Sequence, residues 1–207
     1  MLVAKITTLC FAAVSILAFA SMMPVVANSL QSTGRGGYIL QEEFSDGDYA
    51  DGSPTSWIKS PFGVGANVSI NQGRLLITPN PGPGRQSVDA LNVDLDDCSV
   101  QVRLRTSNNG LAGFSVRNQT ARAGESYIVG IAHRPAQGGF IAFLGVADAI
   151  GTSAESIDRF EFFPPRTGGI QVLPYDIRAE DTIIQLDMFG NELRAWFWKA
   201  EGGQMPA

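Results

Sequence analysis

A chain of 207 residues makes one ordinary domain, or one with a small addition, and is long enough to pack its own core. Charged residues are only 17% against 23 glycines and 11 prolines, which disfavours long charged helices and favours short strands joined by turns. The formal net charge of -5 argues against binding by a basic footprint, so neither nucleic acid nor an anionic membrane surface is expected as a partner.

The chain opens with Lys5, an apolar run from Ile6 to Ala20, and small residues at Ala18, Ala20 and Ala27. This is the layout of a secretory signal peptide, expected to occupy residues 1–27. Pro24 would break the hydrophobic helix just before Ala27, which favours cleavage there over cleavage after Ala20. An uncleaved anchor is the alternative reading, but the run falls short of the ~20 residues that span a bilayer, so no membrane insertion is expected once the leader is removed. The protein is accordingly expected to be secreted, either extracellular or at the cell surface or periplasm. Cys98 then remains as the mature chain's cysteine, and the domain must hold by core packing without an internal disulfide.

Residues 28–37 are polar and glycine-containing with no period, and are read as a flexible lead-in. The domain proper is expected to cover 38–207. In it, apolar and polar residues alternate over Ile39–Phe44, Arg74–Thr78, Ser87–Val93, Cys98–Thr106, Leu111–Asn118, Ser126–His133, Phe140–Val146, Ile183–Phe189 and Glu192–Lys199. Strong breakers separate them: NPGPG at 80–84, NNG at 108–110, PAQGG at 135–139 and FPPRTGG at 163–169. Nine short strands with such turns predict an all-β, two-sheet antiparallel sandwich. Ala147–Phe160 has room for one short helical turn.

The last two strands are joined by Gly190-Asn191, a two-residue loop that closes a tight hairpin. The register follows: Phe189 opposes Glu192, Met188 Leu193, Asp187 Arg194, Leu186 Ala195, Gln185 Trp196, Ile184 Phe197 and Ile183 Trp198. One face is then Ile184, Leu186, Met188, Leu193, Ala195 and Phe197, apolar throughout and bound for the inter-sheet core. The other carries Gln185, Asp187, Arg194, Trp196 and Trp198. The same parity turns Ser99, Gln101, Arg103 and Arg105 away from the core, and likewise Gly113, Ser115 and Arg117. A solvated sheet face has this composition. So does a saccharide-binding face, where indoles meet the apolar side of a pyranose and Arg194, Asp187, Gln185, Arg103 and Arg117 meet its hydroxyls. The two tryptophans lie roughly 7 Å apart along the strand.

The stretches EEFSDGDYADGSPTSW, GRLLITP, LAGFSVRN with ESYIVGI, and DTIIQLDMFGNELRAWFWKAEGG resemble the concanavalin A-like lectin/glucanase jelly roll, in the form found in secreted bacterial laminin-G-like domains. The resemblance spans nearly the whole mature chain and implies a jelly-roll topology. It also implies one or two further strands after Trp198, the last pairing near the first, so the domain is expected either to be truncated or to have lost its closing strand, leaving Ile39–Phe44 with an open edge.

Glycoside hydrolases share that superfamily, and those resembled carry Glu-x-Asp-x-Glu or Glu-x-Asp-x-x-Glu on one strand, with the carboxyl groups about 5–5.5 Å apart. No strand here has that pattern. Glu155, Asp158 and Glu161 are spaced by three, which belongs to a helical face and not to one strand, and their context is a long loop, so they read as a solvated turn; the single histidine, His133, ends a strand with no G-x-S-x-G nucleophile to serve. No catalytic residue is therefore assigned. Asp46, Asp48 and Asp51 in DGDYADG offer a calcium ligand set, although the spacing is not that of an EF-hand and Asp-Gly is also ordinary turn chemistry. The resemblance adds that such domains often hold calcium near this segment. No other cofactor is expected. The functional expectation is a non-catalytic module binding polysaccharide or another extracellular ligand. Its alternatives are a glycoside hydrolase of the same superfamily and a structural cell-surface domain with no small ligand.

Overall fold

The computed structural model describes residues 2–5, 15–19, 25–34, 39–51, 57–59, 66–79, 85–90, 97–106, 111–116, 123–150, 159–162, 170–190 and 192–205. These residues form an all-β structure of two antiparallel sheets. In spatial order the first sheet is β1 (Leu2–Lys5), β16 (Glu192–Lys199), β15 (Thr182–Phe189), β9 (Cys98–Thr106), β3 (Val25–Gly34), β7 (Leu75–Pro79) and β6 (Ala66–Ile70), with β4 (Ile39–Glu42) also on β3. The second is β13 (Arg159–Phe162), β12 (Gly139–Ile150), β11 (Ala123–Arg134), β10 (Leu111–Val116), β2 (Ser15–Phe19), β8 (Arg85–Ala90) and β5 (Trp57–Lys59), with β14 (Ile170–Val172) also on β12.

All nine strands expected from alternation are present, and β9 and β16 have the expected limits. The segment expected to hold a helical turn starts instead as strand: β12 continues to Ile150 and β13 begins at Arg159, with 151–158 outside the described residues. Further strands lie where alternation is weak or short. Residues 28–34, read as a lead-in, are the second half of β3, seated between β9 and β4. Their polar composition hides the strand, since hydrogen bonding to two neighbours does not require apolar side chains. Within the segment read as a leader, β1 pairs with β16, and β2 lies between β10 and β8. Strand β4 is paired with β3.

The core follows from the period of two. Val100, Val102 and Leu104 of β9, Ile184, Leu186 and Met188 of β15, and Leu193 and Phe197 of β16 meet Ala112, Phe114 and Val116 of β10, Val129 and Ile131 of β11, and Ala142 and Leu144 of β12 in one buried cluster. Cys98 belongs to it as a buried thiol, outside any disulfide. Each such Val, Leu, Ile or Phe contributes ~1.5–3 kcal/mol, against ~1 kcal/mol net for an ordinary hydrogen bond. Interleaved apolar rows therefore dominate the stability, as a domain without an internal disulfide requires.

The second sheet is buried on its other side too. Leu111, Ile128, Ala132, Ile141 and Phe143 form a separate cluster there, and Ser115 is fully buried. The outward side of β10, read as a candidate polar face, is thus covered at Gly113 and Ser115. Gly113 opposes Gly130, and Gly130 opposes Phe143. The Phe143 ring covers this glycine pair, so two backbones and one ring occupy the space of two missing side chains.

Turn chemistry closes the hairpins. Between β6 and β7, Asn71 and Arg74 exchange N–H···O bonds of 3.0 and 3.1 Å, with Gln72 (φ 52) and Gly73 (φ 68) left-handed, the signature of a type I′ turn. PAQGG becomes a 3-10 turn at Pro135–Gln137.

A Cβ on Gly130 would run into the Ala112 carbonyl oxygen and stand 2.8 Å from Phe143 Cζ and 3.0 Å from Gly113 Cα. Gly130→Ala is expected to cost about 2–3 kcal/mol, the upper part of the range for overpacking, as a lowered denaturant midpoint at unchanged m-value.

Candidate functional site

The β15–β16 hairpin has the register that its two-residue loop dictates, from Phe189 opposite Glu192 to Ile183 opposite Trp198. Gly190 (φ 56) supplies the left-handed turn residue, and its N–H donates to Asp97 Oδ1 at 2.6 Å, tying the turn to the entry of β9. Strand β9 pairs with the other side of β15, and β3 with the other side of β9. Residues sharing a face therefore line up in rows perpendicular to the strands.

Three rows form the outer face of the first sheet. One runs Ser29, Arg103, Ile183, Trp198; the next Gln31, Gln101, Gln185, Trp196; the third Thr33, Ser99, Asp187, Arg194. Five of the sequence-expected ligand residues, Trp196, Trp198, Gln185, Asp187 and Arg194, are there, and Arg103 joins them across two strands. Arg117 lies outside the described residues. The face also contains Gln101 and Ser99, and the register adds positions 29, 31 and 33 of β3.

The two indoles differ. Trp196 is outside the inter-sheet core cluster but only 7% exposed, whereas Trp198 is half-buried and presents surface. Polar side chains beside Trp196 are fixed by one another. Ser99 Oγ donates to Asp187 Oδ1, and Gln185 Nε2 donates to the same oxygen at 3.0 Å. Arg194 donates to both carboxylate oxygens of its strand neighbour Glu192, from Nε at 3.0 Å and from an NH2 nitrogen at 2.9 Å.

A buried carboxylate anchors the end of the face. Asp181 precedes β15, its carbonyl accepts the Ala200 N–H at 2.8 Å, and it is 3% exposed. Arg103 Nε donates to Oδ2 at 2.7 Å and Arg105 Nε to Oδ1 at 2.5 Å. Glu201 lies 3.8 Å from Arg103 on the open side. Burial works against the ionised Asp181, but the hydrogen bonds and charges of Arg103 and Arg105 outweigh it and hold the carboxyl below the usual aspartate range.

The DGDYADG segment is a turn in which Asp46 Oδ1 accepts the Asp48 N–H at 3.0 Å and Asp48 Oδ1 accepts the Ala50 N–H at 2.8 Å. Among the described residues no three of His, Cys, Asp and Glu converge as a metal-ligand set. The sequence reading missed Glu42, 3% exposed, whose Oε1 accepts the Phe44 N–H at 2.8 Å. Phe44 takes φ 53 at this kink and packs on Trp57 at 6.1 Å between ring centroids. Burial pushes the Glu42 carboxyl up and the charges of Asp46 and Asp51 add to this. The Phe44 N–H works the other way, as does the nearby Trp57 indole, although its Nε1 completes no well-formed hydrogen bond.

His133, the second-last residue of β11, stacks on Phe140 at 4.9 Å, and Arg178 lies over the same ring at 5.0 Å. Hydrogen bonds from Arg178 hold the pKa of Asp176 at about 2. Glu155 and Asp158 lie outside the described residues, and Glu161 sits on β13 opposite Val146. Register sets Glu125 of β11 directly opposite Asp148 of β12. The turn at Pro135–Gly138 was a signal for that pair, since Arg134 opposite Gly139 fixes every later pair of the hairpin.

No family model matches the chain, and neither a curated protein nor a solved structure matches it.

Two pH dependences of opposite sign follow. Asp181 has a depressed folded pKa, so its contribution is full above the unfolded aspartate value of about 3.9 and is lost as pH falls below it. Asp181→Asn is expected to cost about 2 kcal/mol at neutral pH, the scale for hydrogen bonds to a charged group, and to remove part of the acid-induced loss in urea titrations. Glu42 has a raised folded pKa, so stability falls as pH rises from about 4.3 through that higher value. Glu42→Gln keeps the acceptor for Phe44 and removes the buried charge, and is expected to raise Tm by a few degrees at neutral pH while changing little in acid.

Proposed function

We propose that this chain is a secreted, non-catalytic module that binds carbohydrate on the outer face of its first sheet. The observation that carries this reading is the alignment across β9, β15 and β16 of Gln101 with Gln185 and Trp196, and of Arg103 with Ile183 and Trp198. Oriented amides and an accessible indole beside apolar Ile183 are the groups that a sugar ring engages, polar at its edge and apolar on its face. The sequence resemblance to concanavalin A-like jelly-roll domains supports the same reading. Calcium at Asp46, Asp48 and Asp51 is no part of it.

The apolar run from Ile6 and the small residue at Ala27 support export. Cleavage after Ala27 would remove β1, β2 and the first residues of β3, and would leave Ser29, Gln31 and Thr33 to complete the three rows. Retention of residues 1–27 would keep β2 between β10 and β8, so the mass of the N-terminal peptide of exported protein separates the two; a chain starting at Asn28 is expected.

Polysaccharide pull-downs test the binding. Trp198→Ala is expected to weaken retention about tenfold, the ratio for 1.4 kcal/mol. Trp196→Ala acts mainly on stability because that indole is covered. Failure of the wild-type chain to retain any polysaccharide sinks the proposal.

One observation favours a second reading, glycoside cleavage. Register sets Glu125 of β11 directly opposite Asp148 of β12, which pairs two carboxylate-bearing positions, the residue types a glycosidase uses as nucleophile and acid/base. Sugar release that disappears in both Glu125→Gln and Asp148→Asn would establish it; no release by the wild-type chain removes it.

A further inference from the structure

Among the described residues of the three rows, charged side chains are matched within the protein. Arg103 and Arg105 share Asp181, with Arg103 NH2 at 2.6 Å and Arg105 Nε at 2.5 Å, and Arg194 is held on Glu192 at 2.9 Å. The remaining carboxylate of the three rows, Asp187, accepts from Ser99 and Gln185. A ligand carboxylate or sulfate would meet guanidinium groups whose charge is already neutralised by Asp181 or Glu192 and would compete with those carboxylates for it. It would also approach a chain of net charge -5.

Neutral hydrogen-bonding capacity, by contrast, is paired across two strands. Gln101 and Gln185 are directly opposed on β9 and β15, with position 31 of β3 on the same line. Strands are spaced by ~4.8 Å, so a ligand crossing β9 and β15 meets two amides one strand spacing apart. Each amide both donates and accepts, as a hydroxyl does. The adjoining row ends in Trp198, which offers an apolar plane.

We infer that the face selects neutral over acidic polysaccharide, with the sugar chain lying across β9, β15 and β16. This rests on the carbohydrate-binding reading and adds the ligand's charge class and direction. Affinity electrophoresis in gels of neutral polysaccharides (xylan, mannan, a β-glucan) and acidic ones (polygalacturonate, alginate) tests it at low and high salt. Retardation by at least one neutral polymer, insensitive to salt, is expected, with Gln101→Ala weakening it about fivefold, the ratio for loss of one hydrogen bond of ~1 kcal/mol. Asp181→Asn, shown to be folded by circular dichroism, frees two guanidinium groups and is expected to gain a salt-sensitive retardation by the acidic polymers. Stronger, salt-sensitive retardation of the wild-type chain by acidic polymers overturns the selectivity and leaves the carbohydrate reading standing. Retardation by none overturns both. An unchanged Gln101→Ala together with no acidic binding by Asp181→Asn overturns the assignment to these rows.

Discussion

Strands β9, β15 and β16 lie side by side with one apolar and one polar face each, and the close packing of the apolar side against β10, β11 and β12 constrains everything else. Because side chains alternate with a period of two, a slip of one residue in any of these pairings would exchange Leu186 for Asp187 or Val102 for Arg103 in the core. Burying an unpaired charge costs several times what a single apolar side chain contributes. The inter-sheet core therefore fixes the register, and the register fixes which polar side chains share a row outside. The outer face is a by-product of core packing.

That face is stiffened by ionic contacts that the core does not supply. Asp181 is buried beneath Arg103 and Arg105, each about one-third exposed at 33%. A lone carboxylate at that depth would bind a proton instead of staying charged; two guanidinium groups reverse the balance. Glu42 is the opposite case, a carboxyl buried near Asp46 and Asp51 with a main-chain N–H as its main compensation. One site rewards ionisation and the other resists it, and both lie at strand ends where the chain leaves a sheet.

Much of the architecture was legible in the chain itself. Strict alternation in CSVQVRLRT and TIIQLDMF marks strands buried on one side, and the Gly190-Asn191 loop permits one register. Where a strand carries little apolar residue, as in the polar half of β3, alternation has no amplitude, so this segment read as a lead-in although hydrogen bonds place it between two neighbours. The candidate site was legible to the same degree. Local parity put Trp196 and Trp198 on the polar face, but could not rank their exposure or join Arg103 to Asp181, 78 positions apart. The opposition of Glu125 and Asp148 leaves no pattern along either strand, because the pair is made across a hairpin.

The sequence by itself determined the class of fold, the two-residue turn and the face to which each side chain of the last hairpin belongs, because these follow from local periodicity and from the backbone geometry glycine allows. Tertiary structure alone decided that β9 flanks β15, which aligns Gln101 with Gln185 and carries Arg103 and Arg105 to Asp181. It also decided that Trp196 is covered while Trp198 presents surface, and that the outward side of β10 is buried. These outcomes depend on which strands become neighbours and what lies over them, and burial and charge pairing act through space between residues that the chain order keeps far apart.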